Sequence, residues 1–244
     1  MTGTASRSAL RPFDVLAAFR KAGRPLSLSE ISQMTDIPLS TCHSVIRALE
    51  QYGLLYFLSN RESYPTRWLW DTALEINAND PIATRCLPAL TALRDATNET
   101  IILGTRQGDR VLYLLVVESG QTIRYSSRAG DFKPLHSSAI GKVMLMSMPE
   151  AARAEWLSKH PLAQATPDTI VDVQRLHADL RESAQRGYTV TRGENVADVM
   201  AVAAPLVCGP MTLGVAVAGP LNRMHQNEKE VARQLLSCIA SIKL

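Results

Sequence analysis

Apolar positions recur along this chain with two different periods, and the period changes near residue 80. Before that point the spacing is helical. Phe13, Leu16 and Ala17 fall at i, i+3 and i+4, with Leu10 a turn earlier, which predicts a first helix burying that stripe. Arg20 and Lys21 follow, where cations suit the negative pole of the helix dipole, and Gly23-Arg24-Pro25 ends the helix. Ser27 or Ser29 can cap a second helix whose apolar face is Leu28, Ile31 and Met34. The turn Thr35-Asp36-Ile37-Pro38 leads into a third helix opening at about Leu39-Ser40. There Cys42, Val45, Ile46 and Leu49 fall at i, i+3, i+4 and i+7, a single buried stripe that Gly53 brings to an end. Residues 54–58 and the region of Tyr64, joined by Ser59-Asn60-Arg61-Glu62-Ser63, read as a hairpin.

Residues 67–95 read as helical with an interruption at Asn79-Asp80-Pro81, because proline disfavours helix in the residue before it. Beyond it, strands alternate with amphipathic helices. Residues 100–105 and 111–117 are β-branched and apolar around the turn Gln107-Gly108-Asp109. Residues 138–148, 150–159 and 172–186 read as helices, 188–191, 201–207 and 213–218 as strands, and 227–242 as a closing helix. Internal repeats and low-complexity segments are absent.

Composition narrows the class. The chain has 244 residues, 46% of them hydrophobic and 20% charged, enough for one large or two modest cores and too apolar for disorder. No apolar stretch reaches the roughly 18 residues of a membrane span, and the N-terminus carries no secretory pattern. Cys42, Cys86, Cys208 and Cys238 lie far apart without a CxxC pair. That argues against a disulfide scaffold or zinc knuckle and for a reducing cytoplasm, with no membrane partner. A formal net charge of +3 permits an anionic partner without demanding one.

Helix, helix, turn, helix, hairpin is the order of a winged helix-turn-helix, in which the third helix would enter a DNA major groove. With its apolar stripe turned inward, Ser40, Thr41, His43, Ser44 and Arg47 are left on or near the open face. Short hydroxyls there suit phosphates and base edges, and Arg47 suits a phosphate or a guanine edge. Arg61 in the hairpin turn and Arg67 after it could clamp flanking phosphates. Any solvated helix has a similar outer face, however. Basic and acidic residues also cancel over 1–80, so each copy would make few phosphate contacts and affinity would come from pairing copies.

Residues 96–244 hold no G-x-S-x-G, H-E-x-x-H or G-x-G-x-x-G pattern. Gly141-Lys142 lacks the first glycine and the following Ser or Thr of a phosphate loop, and the five histidines form no ligand pair. These features argue against an enzyme, and no cofactor or metal is expected. The notable cluster is Leu135-His136-Ser137-Ser138-Ala139-Ile140-Gly141-Lys142, a polar turn running into a helix. Free N–H groups at a helix start attract a carboxylate; ordinary capping by Ser137 or Ser138 is the competing use.

Taken in order, several stretches resemble the IclR family of bacterial transcriptional regulators over nearly the whole chain. They are Gly23-Arg24-Pro25-Leu26-Ser27-Leu28, Ile37-Pro38-Leu39-Ser40-Thr41, Arg47-Ala48-Leu49-Glu50, Gly53-Leu54, then Pro134-Leu135-His136-Ser137-Ser138-Ala139-Ile140-Gly141-Lys142, Arg186-Gly187-Tyr188, Val202-Ala203-Ala204-Pro205 and Gly219-Pro220. The resemblance implies an α+β architecture: an N-terminal winged helix-turn-helix over 1–70, a linker helix region over 71–95 and a C-terminal GAF-like α/β effector-binding domain over 96–244. It also implies homodimers or homotetramers, double-stranded operator DNA as partner and a small-molecule effector.

Departures from the family pattern fall where the effector would sit. Many relatives carry acidic residues just after R-G-Y, where this chain has Val190-Thr191-Arg192-Gly193-Glu194. Downstream, a usual glycine and cysteine are replaced by Asp198 and Ala201, and the strand before Gly219-Pro220 reads Val215-Ala216-Val217-Ala218. The expected effector is therefore an anion with a sizeable apolar or aromatic body, and the expected target is a catabolic operon. Arg192, or Arg124 on a strand of its own, would hold the carboxylate, unless Arg192 is simply a surface arginine. Ala216, Ala218 and Ile140 would make room for a ring, with His136, Ser137, Ser138, Ala139, Thr191 and Ala201 around it. The competing class is a small-molecule sensor whose winged helix contacts protein without specific DNA binding.

Overall fold

Local capping signals and a buried stripe on each of the first three helices build the first part of the chain. The computed structural model describes residues 7–242, and the chain divides between Asp80 and Pro81 into two units. The first holds α1 (Arg7–Ala22), α2 (Leu28–Thr35), α3 (Leu39–Gln51), β1 (Leu55–Phe57), β2 (Ser63–Pro65) and α4 (Trp68–Ala78). Of the two candidate caps of α2, Ser27 is used: its side chain accepts the Glu30 N–H while the Glu30 carboxylate accepts the Ser27 N–H at 2.9 Å. α3 buries Cys42, Ile46 and Leu49 and half-buries Val45. Gly53, at φ 72°, turns the chain so that the Leu54 N–H reaches the Leu49 carbonyl at 2.8 Å. β1 and β2 pair antiparallel with Tyr56 opposite Tyr64, and Leu26 bridges to Ser63 beside them.

The first helix corrects an expectation. Val15, Ala18 and Phe19 face the core, while Phe13 is 68% exposed and Leu10 48% exposed. Two apolar stripes share this helix, and spacing alone does not choose between them. The winning stripe carries Phe19, whose ring meets Tyr64 of the hairpin edge-on at 6.1 Å between centroids. α4 buries no residue; Trp68, Trp70, Leu74 and Ile76 are all exposed.

The second unit holds α5 (Pro81–Thr97), β3 (Thr100–Gln107), β4 (Arg110–Val117), β5 (Phe132–Pro134), α6 (Ala139–Ser147), α7 (Glu150–Lys159), α8 (Val173–Arg186), β6 (Thr189–Arg192), β7 (Val199–Cys208), β8 (Met211–Pro220), α9 (Leu221–Gln226) and α10 (Glu228–Ser241). The helical reading of 67–95 thus resolves into α4 and α5 on either side of the expected break. β5 and α9 were not anticipated, because three and six residues are too few to show a period.

The strands form one antiparallel sheet in the order β5-β4-β3-β8-β7-β6. Side-chain alternation sorts its two faces. Ile101, Leu103, Val202, Val215 and Val217 join Leu90 and Leu93 of α5 and Val231 and Leu235 of α10. Ile102, Tyr113, Ala203, Ala216 and Ala218 face α6 and Leu176 and Leu180 of α8. The Arg186-Gly187-Tyr188 run is a helix stop: Gly187 sits at φ 83°, and the Arg186 Nε–H reaches back to the Tyr188 carbonyl at 2.7 Å. Arg124 lies on no strand; it belongs to the irregular segment between β4 and β5.

Candidate functional site

Helix α6 is buried from Ala139 to Leu145, and its N-terminus is pressed onto the sheet. Glycine permits this approach at two points. A Cβ on Gly141 would lie 2.3 Å from the Leu135 carbonyl oxygen, and one on Gly214 would lie 2.6 Å from Ile140 Cγ2. Ser138 caps the helix, accepting the Gly141 N–H at 3.2 Å and donating to the Pro134 carbonyl. The Thr189 hydroxyl ties the Ala139 carbonyl to β6 at 2.8 Å.

Beneath this first turn the sheet presents small side chains, Ala201, Ala216 and Ala218, and a cavity opens between them and α6. It encloses about 410 Å³ of space between atoms, its open mouth included, and the room inside is tight. Ile102, Tyr113, Tyr125, Ser138, Ala139, Ile140, Thr191, Asn195, Val196 and Val199 complete the wall. No charged side chain is among these lining residues.

The 193–198 loop forms one side of the cavity and is fastened from behind. Gly193, at φ 71°, donates its N–H to the Val199 carbonyl at 2.8 Å. Lys142 is 0% exposed, with its Nζ 2.7 Å from Glu194 Oε1 and 2.8 Å from Asp179 Oδ2. The Thr169 hydroxyl donates to the Glu194 carbonyl at 2.7 Å. Burial pushes the Glu194 carboxyl above the ordinary carboxylate range, against the pull of the Lys142 ammonium. The lysine of Gly141-Lys142 is therefore an internal counter-ion that anchors the loop carrying Asn195 and Val196.

Of the residues expected to meet an effector, Ser138, Ala139, Ile140, Thr191, Ala201, Ala216 and Ala218 converge on this cavity. His136 and Ser137 are buried but do not line it. The His136 Nε2–H donates to the Ala163 carbonyl at 2.9 Å, and burial lowers the imidazole pKa. Neither arginine is a lining residue, which corrects the expected carboxylate clamp. Alternation along β6 points Thr191 inward and Arg192 outward, where it is 45% exposed and pairs with Glu228 at 2.5 Å. Arg124 pairs with Glu118 at 3.5 Å. Ile102, Tyr113, Tyr125, Asn195, Val196 and Val199 line the cavity but were missed. Strand alternation could have turned Tyr113 inward with Val111, but nothing local announces Tyr125 or the loop pair.

In the first unit, α3 and the hairpin enclose an open groove lined by Leu28, His43, Ile46, Arg47, Phe57, Leu58, Arg61 and Ser63. It gathers three of the expected DNA contacts, His43, Arg47 and Arg61. The Arg47 guanidinium lies 5.6 Å from the centre of the Phe57 ring and 2.7 Å from Glu50. Ser40 and Ser44 are exposed on α3, with the Ser44 hydroxyl bonded to the Ser40 carbonyl, and Thr41 is half-buried. Arg67 stands apart from the groove at the start of α4, 3.5 Å from Asp71. Phe57 and Leu58 add an apolar wall that the basic-residue reading had not included.

Among the described residues, no helix is long and apolar enough to cross a membrane, and no cluster of three or more His, Cys, Asp or Glu residues could hold a metal. Two family models match. The IclR helix-turn-helix domain covers residues 8–59, and the bacterial transcriptional regulator IclR C-terminal domain covers residues 76–244. The "Probable transcriptional regulator SauR" of Cupriavidus necator is 30% identical over 231 residues, covering 93% of this chain and 92% of that protein. The fold is shared with the crystal structure of Thermotoga maritima IclR, with TM-score 0.78 and 24% identity over 96% of this chain and 97% of that one. It is shared too with an IclR homologue from Microbacterium hydrocarbonoxydans complexed with 4-hydroxybenzoate, with TM-score 0.76, 22% identity and 96% of each chain covered.

Proposed function

The chain belongs to the IclR family of bacterial transcriptional regulators, and on that premise we propose that it controls a catabolic operon in response to a small organic acid. The cavity beneath α6 carries this reading: a narrow slot with an alanine floor and neutral hydrogen-bonding groups, of the kind that takes a compact, partly apolar metabolite. With Arg192 and Arg124 turned elsewhere, the acid is held by neutral donors. Thr191, Asn195 and the unpaired N–H groups of the α6 first turn supply them. A flat aromatic body suits Ala201, Ala216 and Ala218, and the 4-hydroxybenzoate complex of the Microbacterium homologue favours the same class.

On the DNA side, α3 reads the major groove. Ser40, Thr41, His43, Ser44 and Arg47 face base edges and phosphates, and Arg61 and Arg67 contact the flanking backbone. Two copies act together in the cytoplasm, as homodimer or homotetramer. Leu10 and Phe13 on α1 and Trp68, Trp70, Leu74 and Ile76 on α4 give apolar surface in excess of what a lone unit keeps exposed. The balanced charge of residues 1–80 makes pairing necessary for useful affinity.

Two assays test the reading. Thermal melting of the purified protein against aromatic and short aliphatic acids is expected to find stabilising ligands in the aromatic set. Anisotropy titration of the duplex upstream of its own gene, over a series of salt concentrations, is expected to show specific binding. A protein that ignores that duplex with and without the acids acts instead through protein contacts.

A further inference from the structure

The cavity runs across the sheet rather than along a strand. Tyr113 comes from β4, Ile102 from β3, Ala216 and Ala218 from β8, Ala201 and Val199 from β7, and Thr191 from β6, which are consecutive neighbours in the sheet. Adjacent strands lie about 4.8 Å apart, so the β4 and β6 ends are separated by roughly 19 Å of backbone before curvature and side-chain reach shorten the slot. Its middle is alanine and isoleucine. Its polar side chains stand mainly at the two ends, Thr191 with Asn195 at β6 and Tyr113 with Tyr125 at β4.

The tyrosine end is built firmly. The C-terminal end of the segment that carries Tyr125 is tied to Tyr113, whose N–H reaches the Asp131 carbonyl at 2.9 Å and whose carbonyl accepts the Gly130 N–H at 2.8 Å. The Tyr125 carbonyl accepts the Thr100 hydroxyl at 2.6 Å. Two residues earlier, the Ile123 carbonyl accepts from Arg223, which itself grips the buried Glu99 carboxylate. Both phenols line the cavity, and burial, with the neighbouring Tyr125, drives the Tyr113 pKa far upward. Two phenols on one wall offer O–H groups to donate and lone pairs to accept. Such an end welcomes a hydroxyl and penalises a methyl group, which leaves it unpaired, and, because no charged side chain lines the cavity, a second carboxylate.

We propose that Tyr113 and Tyr125 are specificity-determining residues that select an effector bearing an uncharged hydroxyl at the end remote from its single carboxylate. This rests on the reading that the cavity takes a small organic acid. Calorimetric titration of the full chain with two matched pairs tests it: 4-hydroxybenzoate against 4-methylbenzoate, and 6-hydroxyhexanoate against heptanoate. The hydroxylated member of at least one pair is expected to bind about tenfold or more tightly than its methyl counterpart. Tyr125→Phe and Tyr113→Phe, whose thermal melts report folding, are expected to shrink that preference to within about threefold while the methyl compound keeps its affinity. Binding of both members without preference, or a preference that survives both substitutions, overturns the tyrosine assignment and leaves the acid reading standing. If none of the four acids binds, the acid reading itself falls and takes the assignment with it.

Discussion

Two helices of this protein open on short hydroxyl residues, and they use them in opposite ways. α3 begins Leu39-Ser40-Thr41 with no side-chain cap, and Ser40, His43, Ser44 and Arg47 are left exposed. α6 begins after Ser137-Ser138 and is buried from Ala139 to Leu145; Ser138 is spent on capping and Gly141 lets the helix close against Leu135. A free polar face at α3 is available to a partner, whereas at α6 the capping hydroxyl is used internally and the helix forms a wall of the cavity. Residue type alone does not separate these roles; burial does.

The contrast is broken most forcefully at Lys142. Lys142→Met leaves Glu194 and Asp179 without their buried counter-ion and is expected to cost about 3–5 kcal/mol in denaturant unfolding. A loss below about 1 kcal/mol would mean that water already reaches the pair. Next in size, Gly141→Ala forces a methyl group onto the Leu135 backbone and is expected to cost about 1–3 kcal/mol and to weaken effector binding. On the exposed helix, Arg47→Ala is expected to leave folding unchanged while removing roughly 1–3 kcal/mol of discrimination between operator and unrelated duplex. Unaltered discrimination would confine Arg47 to its contacts with Glu50 and Phe57.

Smaller effects sharpen the same comparison. Ser138→Ala is expected to cost about 1 kcal/mol, the worth of a helix cap, whereas Ser40→Ala is expected to stay within about 0.5 kcal/mol. Equal losses would erase the distinction drawn between the two helix starts. The smallest expected effect is acid lability from His136. Burial lowers its folded pKa below the ordinary 6.5, so the unfolded chain binds the proton more tightly. Its contribution to stability is therefore constant above pH 6.5 and declines as pH falls below it, a slope that His136→Gln should reduce.

Most elements were legible in the sequence because their signals are local. The Ser27 cap, the Gly53 stop, the Pro81 break and the Val-Ala alternation of β8 each follow from one or two residues and their neighbours. Failures arose where the deciding contact is distant. The inward face of α1 depends on Phe19 meeting Tyr64, and the direction of Arg192 depends on the register of β6 and the presence of Glu228. The alanine half of the cavity was visible as a run of small residues. Its phenol end was not, because Tyr125 arrives on an irregular segment whose path is set by Thr100, Glu99 and Arg223.

The central claim is that filling the cavity changes how firmly α3 holds DNA. Binding free energies are reciprocal, so the most direct measurement is a pair of titrations at fixed salt. Duplex from upstream of the gene is titrated with and without saturating acid, and the acid with and without saturating duplex. The account predicts a shift of roughly 5- to 150-fold in the first titration and the same factor in the second. Identical DNA affinity with the cavity empty and full would contradict it.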